Sequence, residues 1–298
     1  MCHAGRTDVA DCARATPARW CESCAAVESE AAPACRHTTC TPSDMSLDGF
    51  VPAAKDSGFS ARTADLFYRA VDELGGRLHV EVEGIENVPS GRALFVANHG
   101  FGWDVAFAIA AIRKKTGRAV YALGEHLWWK VPVLRRWAAA VGVVDGNPGN
   151  VDRLLSQGAL VVVLPGGLRE AVKPRELRYQ LLWGHRYGFV RAAIRNHAPL
   201  VPLACLGGDE LFDFVGNAYR RGERLLHRAG LPVPLPARIL PIPHLVHLRY
   251  VIGEPVWPDV PAECASDPAV CRRVRHEIAG ALHEIIEAEL SRRFGFDG

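Results

Sequence analysis

The chain has 298 residues, of which 49% are hydrophobic and 23% are charged, enough to bury the core of a large domain. Its 35 lysines and arginines stand against 33 aspartates and glutamates, which argues against a dedicated nucleic-acid-binding protein. No uninterrupted apolar run approaches the roughly 20 residues that span a bilayer, so we do not expect an integral membrane protein.

The amino-terminal segment differs in composition from the rest of the chain. Six of the nine cysteines lie in the first 40 residues, among Ala, Thr, Ser and Pro and without apolar periodicity. We expect residues 1–44 to be a disordered or spurious extension and residues 45–298 to form a single domain, since Met45 is the only internal methionine. A zinc site built around Cys21 and Cys24 is the alternative for this segment, although the cysteine spacing fits no common zinc finger.

Apolar spacing and turn residues predict alternating helices and strands. Gly75 and Gly76 are expected to end the first helix, and Pro132 either kinks a later helix or marks its first turn. Pro268 is expected to open the final helix. In chain order we expect helices over 61–74, 105–116, 126–140 and 151–157, over 209–228 from its charge distribution, and from 268 onward. Strands are expected over 78–83, 94–96, 119–123, 141–144, 160–164 and 248–252.

One strand signal decides the fold class. The run Leu160–Leu164 is continuously apolar, which is typical of a central parallel strand covered on both faces. Helices separate most of the predicted strands, as parallel pairing requires. We therefore expect an α/β fold with a largely parallel central sheet flanked by helices.

The strongest candidate for catalysis lies where the predicted strand over 94–96 ends. The apolar run stops at His99, and Asp104 follows five residues later at about the first turn of a helix. Open α/β folds bind their ligands at the carboxyl ends of strands. A carboxylate there can accept from one imidazole nitrogen and leave the other free as a general base. The alternative is that Asp104 caps the helix and His99 is an unrelated loop residue.

A second stretch about sixty residues later supports the catalytic interpretation. A strand ends there in Pro165, Gly166 and Gly167, and Leu168, Arg169 and Glu170 follow. Together the two stretches resemble the glycerolipid acyltransferases, which carry H-x-x-x-x-D and then P-[EG]-G-x-R. The Gly-Gly form followed by Arg-Glu-Ala resembles the branch of diacylglycerol acyltransferase type 2 and the plant phytyl ester synthases. The resemblance covers residues 75 to 258.

The resemblance implies transfer of an acyl group from an acyl thioester to the hydroxyl of a lipid acceptor. His99, oriented by Asp104, would take the proton from that hydroxyl. The donor would be acyl-coenzyme A or an acyl carrier protein, used as a substrate, and we predict neither a further cofactor nor a metal ion.

Substrate binding is assigned to the second stretch. The resemblance implies that backbone amides near Gly166 and Gly167, or Arg169, hold donor, acceptor or the developing oxyanion, and that Glu170 orients Arg169. A basic excess downstream would meet phosphates of the donor or anionic lipid headgroups, or it would form a solvated helical face. It consists of Arg169, Lys173, Arg175, Arg178, Arg186, Arg191 and Arg195.

The acceptor is expected to be neutral. Lysophosphatidate acyltransferases have Glu at the position of Gly166, and relatives with phosphate-bearing acceptors have an arginine shortly after a preceding strand, where this chain has Gly146. We therefore expect a mono- or diacylglycerol or a long-chain alcohol. One alternative is a lysophospholipid (1-acylglycerol-3-phosphate) acyltransferase, and another is a non-catalytic membrane lipid-binding protein of the same fold.

An aromatic and basic cluster in the predicted helix over 126–140 suits a membrane interface, and a proline-rich apolar loop over 231–243 is a second candidate for lipid contact. The alternative for the cluster is a set of core tryptophans with a solvated basic edge. We expect a peripheral protein on the cytoplasmic side of a membrane. The cluster comprises Trp128, Trp129, Lys130, Arg135, Arg136 and Trp137.

Overall fold

The computed structural model describes residues 58–100, 105–171, 173–211 and 246–295. In this part of the chain, seven strands form one sheet. The strands are β1 (Glu81–Glu83), β2 (Ala93–Ala97), β3 (Val120–Gly124), β4 (Val143–Asp145), β5 (Leu160–Val163), β6 (Leu200–Leu206) and β7 (Arg249–Ile252). The helices are α1 (Ala61–Arg77), α2 (Val105–Thr116), α3 (Pro132–Ala140), α4 (Pro148–Ser156), α5 (Gly167–Ala171), α6 (Gly188–Arg195) and α7 (Pro268–Phe294).

The sheet has the order β1-β7-β6-β2-β5-β3-β4. Strands β6, β2, β5, β3 and β4 run parallel to one another, whereas β7 is antiparallel to β6 and parallel to β1. The prediction of a largely parallel sheet flanked by helices is confirmed. Strand β5, predicted to be central from its apolar run, lies between β2 and β3.

Both faces of the sheet are covered, and β2 shows why its sequence carries no polar alternation. Leu94 and Val96 pack into one core cluster with residues of α4, α6 and α7. Phe95 packs into the opposite cluster with residues of α1 and α2. All three side chains are fully buried, so successive residues of the strand all have to be apolar.

The ends of several elements differ from the prediction. Helix α1 runs through the predicted stop at Gly75 and Gly76, and β1 is shorter than expected because His79 adopts a positive φ of 53°. The predicted helix over 126–140 is a 3₁₀ turn followed by α3, since Pro132 takes a first helical position that needs no N–H donor. The predicted start of α7 at Pro268 is confirmed.

Some predictions fall outside the described residues. They concern the extension over 1–44, Asp104, the helix over 209–228 beyond residue 211, and the proline-rich loop over 231–243.

Candidate active site

Three neighbouring strands bring the predicted segments to one edge of the sheet. His99 follows β2, Pro165 follows β5, and Gly207 follows β6. These strands are adjacent and parallel, so the segments that leave their carboxyl ends meet. The two predicted segments are thus brought together, and the end of β6 lies beside them.

Asn98, directly before His99, extends the pairing of β2 with β6 by one side chain. Its Nδ2 donates to the carbonyl oxygen of Cys205 at 2.8 Å, and its Oδ1 accepts from the amide of Cys205 at 2.7 Å. The side chain is fully buried and therefore mimics a further residue of the β-ladder. The backbone that enters His99 is fixed by this pair.

The peptide groups of His99 are held by the side chains of Glu170, in the second stretch, and Lys173, which follows it. The His99 N–H donates to Oε1 of Glu170 at 2.7 Å, and Lys173 donates from Nζ to the His99 carbonyl at 3.3 Å. Oε2 of Glu170 accepts from the amide of Leu182 at 2.7 Å. We expected Glu170 to orient Arg169, but the contacts seen show a different use: both of its oxygens anchor backbone amides.

Lys173 links His99 to a buried network at the end of β6. Its Nζ lies 2.8 Å from Oδ2 of Asp209, and both side chains are nearly inaccessible, with 2% and 3% exposed. Asp209 also accepts from the amide of Tyr179 at 2.6 Å, and the Tyr179 hydroxyl donates to Glu210 at 2.5 Å. Because a buried charge is costly without a partner, this network holds together the segments that meet at the site.

Burial changes the protonation of the two groups nearest to the site. Burial, followed by the nearby charge of Lys173, lowers the pKa of His99 to about 3, so the imidazole is neutral at physiological pH. Burial raises the pKa of Glu170 to about 7, although Lys173 and the two amide donors favour its charged form. Burial likewise raises the pKa of Asp209.

The two nitrogens of His99 differ in their surroundings. Nδ1 is buried and has no hydrogen-bond partner among the residues that the structure describes. The side chain is half-buried and lines a cavity, so Nε2 is the nitrogen available to a substrate. A carboxylate partner for Nδ1 is the predicted role of Asp104, and this role stays a prediction.

The Pro-Gly-Gly turn is shaped by the side chains that pack on it. A Cβ at Gly166 would collide with the carboxyl group of Glu170, and a Cβ at Gly167 would lie 2.6 Å from Nη1 of Arg186. The Gly167 amide donates to the Leu164 carbonyl at 3.0 Å and is therefore engaged within the turn. It is not free to hold an oxyanion in this arrangement.

A cavity of about 820 Å³ opens beside His99. It follows the carboxyl ends of β2, β5, β3 and β4, with α1, α3 and α6 as further walls. Of the predicted binding residues, Gly167 lines it, whereas Gly166, Arg169 and Glu170 lie outside its lining. The predicted substrate-binding role of Arg169, which is exposed on α5, stays a prediction. The wall of the cavity is largely apolar and includes Phe67, Ile109, Trp128, Trp137, Val141, Val143, Val163 and Leu168.

The aromatic and basic cluster divides between the cavity and the surface. Trp128 and Trp137 are half-buried and line the cavity, and Trp137 packs edge-on against Phe67 with ring centroids 5.6 Å apart. Arg135 and Arg136 are exposed. None of the helices in the described ranges is both long enough and apolar enough to cross a membrane.

A second His–carboxylate pair lies at the opposite end of the cavity. Nδ1 of His126 is 3.1 Å from Oδ1 of Asp145, and the His126 side chain is 71% exposed. Asn147 donates from its side chain to Asp145 at 3.2 Å and also lines the cavity. This polar edge follows β3 and β4 and stands where the sequence analysis noted Gly146 in place of an arginine.

Sequence reasoning missed the residues that fix His99 in place. Asn98, Lys173 and Asp209 are among the few buried polar or charged side chains, yet each reaches a partner 36 to 107 residues away. The one available signal was Asn98 itself, a polar residue that ends an otherwise apolar strand. In the sequence, Lys173 and Asp209 are indistinguishable from ordinary solvent-exposed charged residues.

Comparison with known proteins agrees with the motifs. Residues 105–229 match the family model described as diacylglycerol acyltransferase. Over 228 residues the chain is 32% identical to an uncharacterised protein of Mycobacterium tuberculosis, covering 72% of this chain and 61% of that protein. Over 165 residues it is 30% identical to the mouse DGAT1/2-independent enzyme synthesizing storage lipids, covering 52% of this chain and 50% of that enzyme.

A solved structure shows a weaker likeness. The crystal structure of PlsC, the 1-acyl-sn-glycerophosphate acyltransferase of Thermotoga maritima, covers 74% of this chain and 81% of its own, with a TM-score of 0.44 and 18% identity. This likeness is too weak to bear on fold or substrate. The chain spans 61% of the mycobacterial relative and 50% of the mouse enzyme. The ordered motifs at neighbouring strand ends, the family-model match and these relatives support membership of the glycerolipid acyltransferase superfamily.

Proposed function

We propose that this chain transfers an acyl group from an acyl thioester, most simply acyl-coenzyme A, to the hydroxyl of a neutral lipid such as a mono- or diacylglycerol or a long-chain alcohol. The observation that carries the proposal is the position of His99. It lines a largely apolar cavity large enough for an acyl chain, and its peptide groups are held by Glu170 of the second stretch and by Lys173 after it.

The protonation state of His99 suits a base that acts on a bound hydroxyl. With a pKa of about 3 the imidazole is neutral at physiological pH but is a weak base, so proton transfer depends on stabilising the imidazolium. The imidazolium that forms would be disfavoured in the same buried surroundings. A carboxylate at Nδ1 would stabilise it, and we propose Asp104 for this role.

The polar edge after β3 and β4 supports a neutral acceptor. The edge after β3 and β4 offers His126, Asp145 and Asn147 in place of an arginine. Such groups exchange hydrogen bonds with hydroxyl and ester oxygens. They suit a glyceride headgroup better than a phosphate.

The proposal is tested by a lipid-product screen with mass spectrometry, using one acyl-coenzyme A and a panel of acceptors. We expect a new ester with a neutral acceptor, produced by the wild type and not by His99→Ala. Asp104→Asn should lower the rate by roughly two orders of magnitude or more, as loss of the orienting carboxylate does in other His–Asp pairs. A protein that binds lipid and consumes no thioester would instead be the non-catalytic lipid-binding alternative.

One observation favours a second candidate, a lysophospholipid acyltransferase. Arg186 and Arg191 both line the cavity, and a guanidinium is the side chain best suited to a phosphate. Lysophosphatidate therefore belongs in the acceptor panel. A product from lysophosphatidate and from no neutral acceptor would overturn the neutral assignment while leaving acyl transfer intact.

We further propose peripheral contact with the cytoplasmic side of a membrane. Leu66 on α1 and Val133 on α3 are 72% and 79% exposed, and the exposed Lys130, Arg135 and Arg136 lie in or beside α3. Cosedimentation should show stronger binding to anionic than to zwitterionic vesicles, weakened by Arg135→Glu with Arg136→Glu. Absence of binding to both kinds of vesicle would rule out this mode of lipid delivery.

A further inference from the structure

Two groups expected to bind an anion at the active site are not available in the cavity. The amide of Gly167 is engaged with Leu164, and Arg169 lies outside the lining. A reaction at a thioester carbonyl develops negative charge on oxygen, which needs a donor or a cation aimed at it. The position next to the Pro-Gly-Gly turn is instead taken by Arg186.

Arg186 is built into this turn. Its Nη1 donates to the Pro165 carbonyl at 2.7 Å and lies against Gly167, where a Cβ would approach it to 2.6 Å. Gly167 also has a positive φ of 53°, so two separate features at this position favour glycine. The turn provides the space that the guanidinium occupies.

The loop that carries Arg186 is anchored at both ends. Trp183 and Phe189 are buried and pack edge-on with ring centroids 5.6 Å apart. The Arg186 amide donates to the Trp183 carbonyl at 3.1 Å. The guanidinium is therefore presented from a fixed backbone rather than from a long free loop.

The positive charge of Arg186 is available to pair with a bound anion. In the part of the chain that the structure describes, no carboxylate forms an ion pair with it. The side chain is exposed and lines the same cavity as His99. Glu170 accepts from the His99 amide and packs against Gly166, so His99 lies beside the Pro-Gly-Gly turn.

We infer that Arg186, which lines the cavity together with Arg191, binds a negatively charged oxygen next to His99. The oxygen has two possible sources: the thioester carbonyl oxygen, which becomes an oxyanion as the acceptor attacks the carbonyl carbon, or a phosphate on the acceptor. The binding of an anionic oxygen by Arg186 does not depend on the proposed acyl transfer. Only the assignment of that oxygen to one of the two sources rests on it.

Binding tests the inference without turnover. The probes are dodecyl phosphate and dodecanol, below their aggregation concentrations, titrated into the wild type and Arg186→Gln. We expect the wild type to prefer dodecyl phosphate at least about tenfold, as a charge-assisted pair in a largely apolar cavity implies. Arg186→Gln should lose this preference. Arg195→Gln is the matched control, because Arg195 lies on α6 outside the cavity lining and pairs with Asp152.

Turnover then separates the sources. If kcat falls at least about tenfold in Arg186→Gln with diacylglycerol and lysophosphatidate alike, and added guanidinium restores it in Arg186→Ala, the oxygen is the oxyanion. A loss confined to KM for lysophosphatidate identifies the acceptor phosphate. Equal binding of both probes by wild type and Arg186→Gln overturns the inference, even where acyl transfer itself is confirmed.

Discussion

Two histidines line the same cavity, each at the carboxyl end of a parallel strand, and their surroundings differ. His99 lies at the β2 end, where Glu170 and Lys173 hold its backbone and Asp209 pairs with Lys173. His126 lies at the β3 end, with a carboxylate in contact and its side chain 71% exposed. A His–carboxylate contact therefore does not by itself mark the catalytic end. Burial and a fixed backbone favour His99 as the proposed base, because they set both its protonation state and its position.

The comparison predicts that loss of His99 lowers the rate of acyl transfer far more than loss of His126. His99→Ala should lower acyl transfer by about three orders of magnitude, the middle of the range for a general base. Activity is measured at saturating donor and acceptor, and thermal unfolding serves as the control. The fold should persist, since the imidazole adds a buried nitrogen without a described partner rather than a packed apolar group. Turnover close to that of the wild type would remove His99 from the mechanism.

The His99 end should also depend on its buried ion pair for stability. Lys173→Met leaves the carboxylate of Asp209 buried without its cation, which costs about 3 to 5 kcal/mol in comparable cases. The free energy of unfolding is measured by denaturant titration. The double variant Lys173→Met with Asp209→Asn should recover part of the loss, because it removes both charges.

An exposed pair provides the control for this prediction. Arg195 contacts Asp152 at 2.8 Å with 37% and 36% of the side chains exposed. Arg195→Met should cost no more than about 1 kcal/mol. Equal losses in Arg195→Met and Lys173→Met would show that the Lys173 pair has no special part in holding the site.

The sequence predicted the elements of this region better than the contacts between them. Strands β2 and β5 were predicted because burial on both faces requires continuous apolar runs, and His99 was found because an apolar run stops there. The partners of Asn98 and Lys173 depend on which strands lie side by side. The strand order could not be read from local spacing.

The misassigned role of Glu170 has the same cause. A carboxylate next to Arg169 in sequence suggested a local pair, whereas its oxygens accept from amides 71 and 12 residues away. The sequence shows Gly166 as the loss of an acid and does not show what replaces that acid. In the fold, the carboxyl group of Glu170 packs where a side chain at residue 166 would project. The chain thus keeps a carboxyl group at this turn and supplies it from the following helix.

Glu170→Gln tests the His99 end of the cavity by removing one of the two carboxylate oxygens that accept from backbone amides. A glutamine can accept from only one of the two amides, so the other is left unsatisfied at a cost of about 1 to 3 kcal/mol. The cost should depend on pH. The pKa of Glu170 is raised from 4.5 to about 7, so between these values the folded wild type holds a proton that the unfolded chain has released.

The sign of this pH dependence follows from that linkage. The stability contributed by Glu170 is fully present below pH 4.5 and is lost as the pH rises toward 7. The glutamine does not titrate. The wild type should therefore exceed Glu170→Gln by more at pH 5 than at pH 8, as measured by unfolding at both values. A gap that widens with pH would contradict the assigned shift.

The smallest effect is expected at the other end of the cavity. His126→Ala removes an exposed side chain whose contact with Asp145 is open to solvent, and such changes stay within about 0.5 kcal/mol of wild-type stability. Asp145 keeps its bond from Asn147, so the polar edge persists. Transfer to an acceptor should fall only a few-fold and through KM, because His126 can contact a headgroup without contributing to the proton transfer. Paired kinetics of His126→Ala and His99→Ala measure the difference directly. A loss in kcat at His126 as large as that at His99 would mean that exposure does not separate the two ends, and the base would have to be sought at β3.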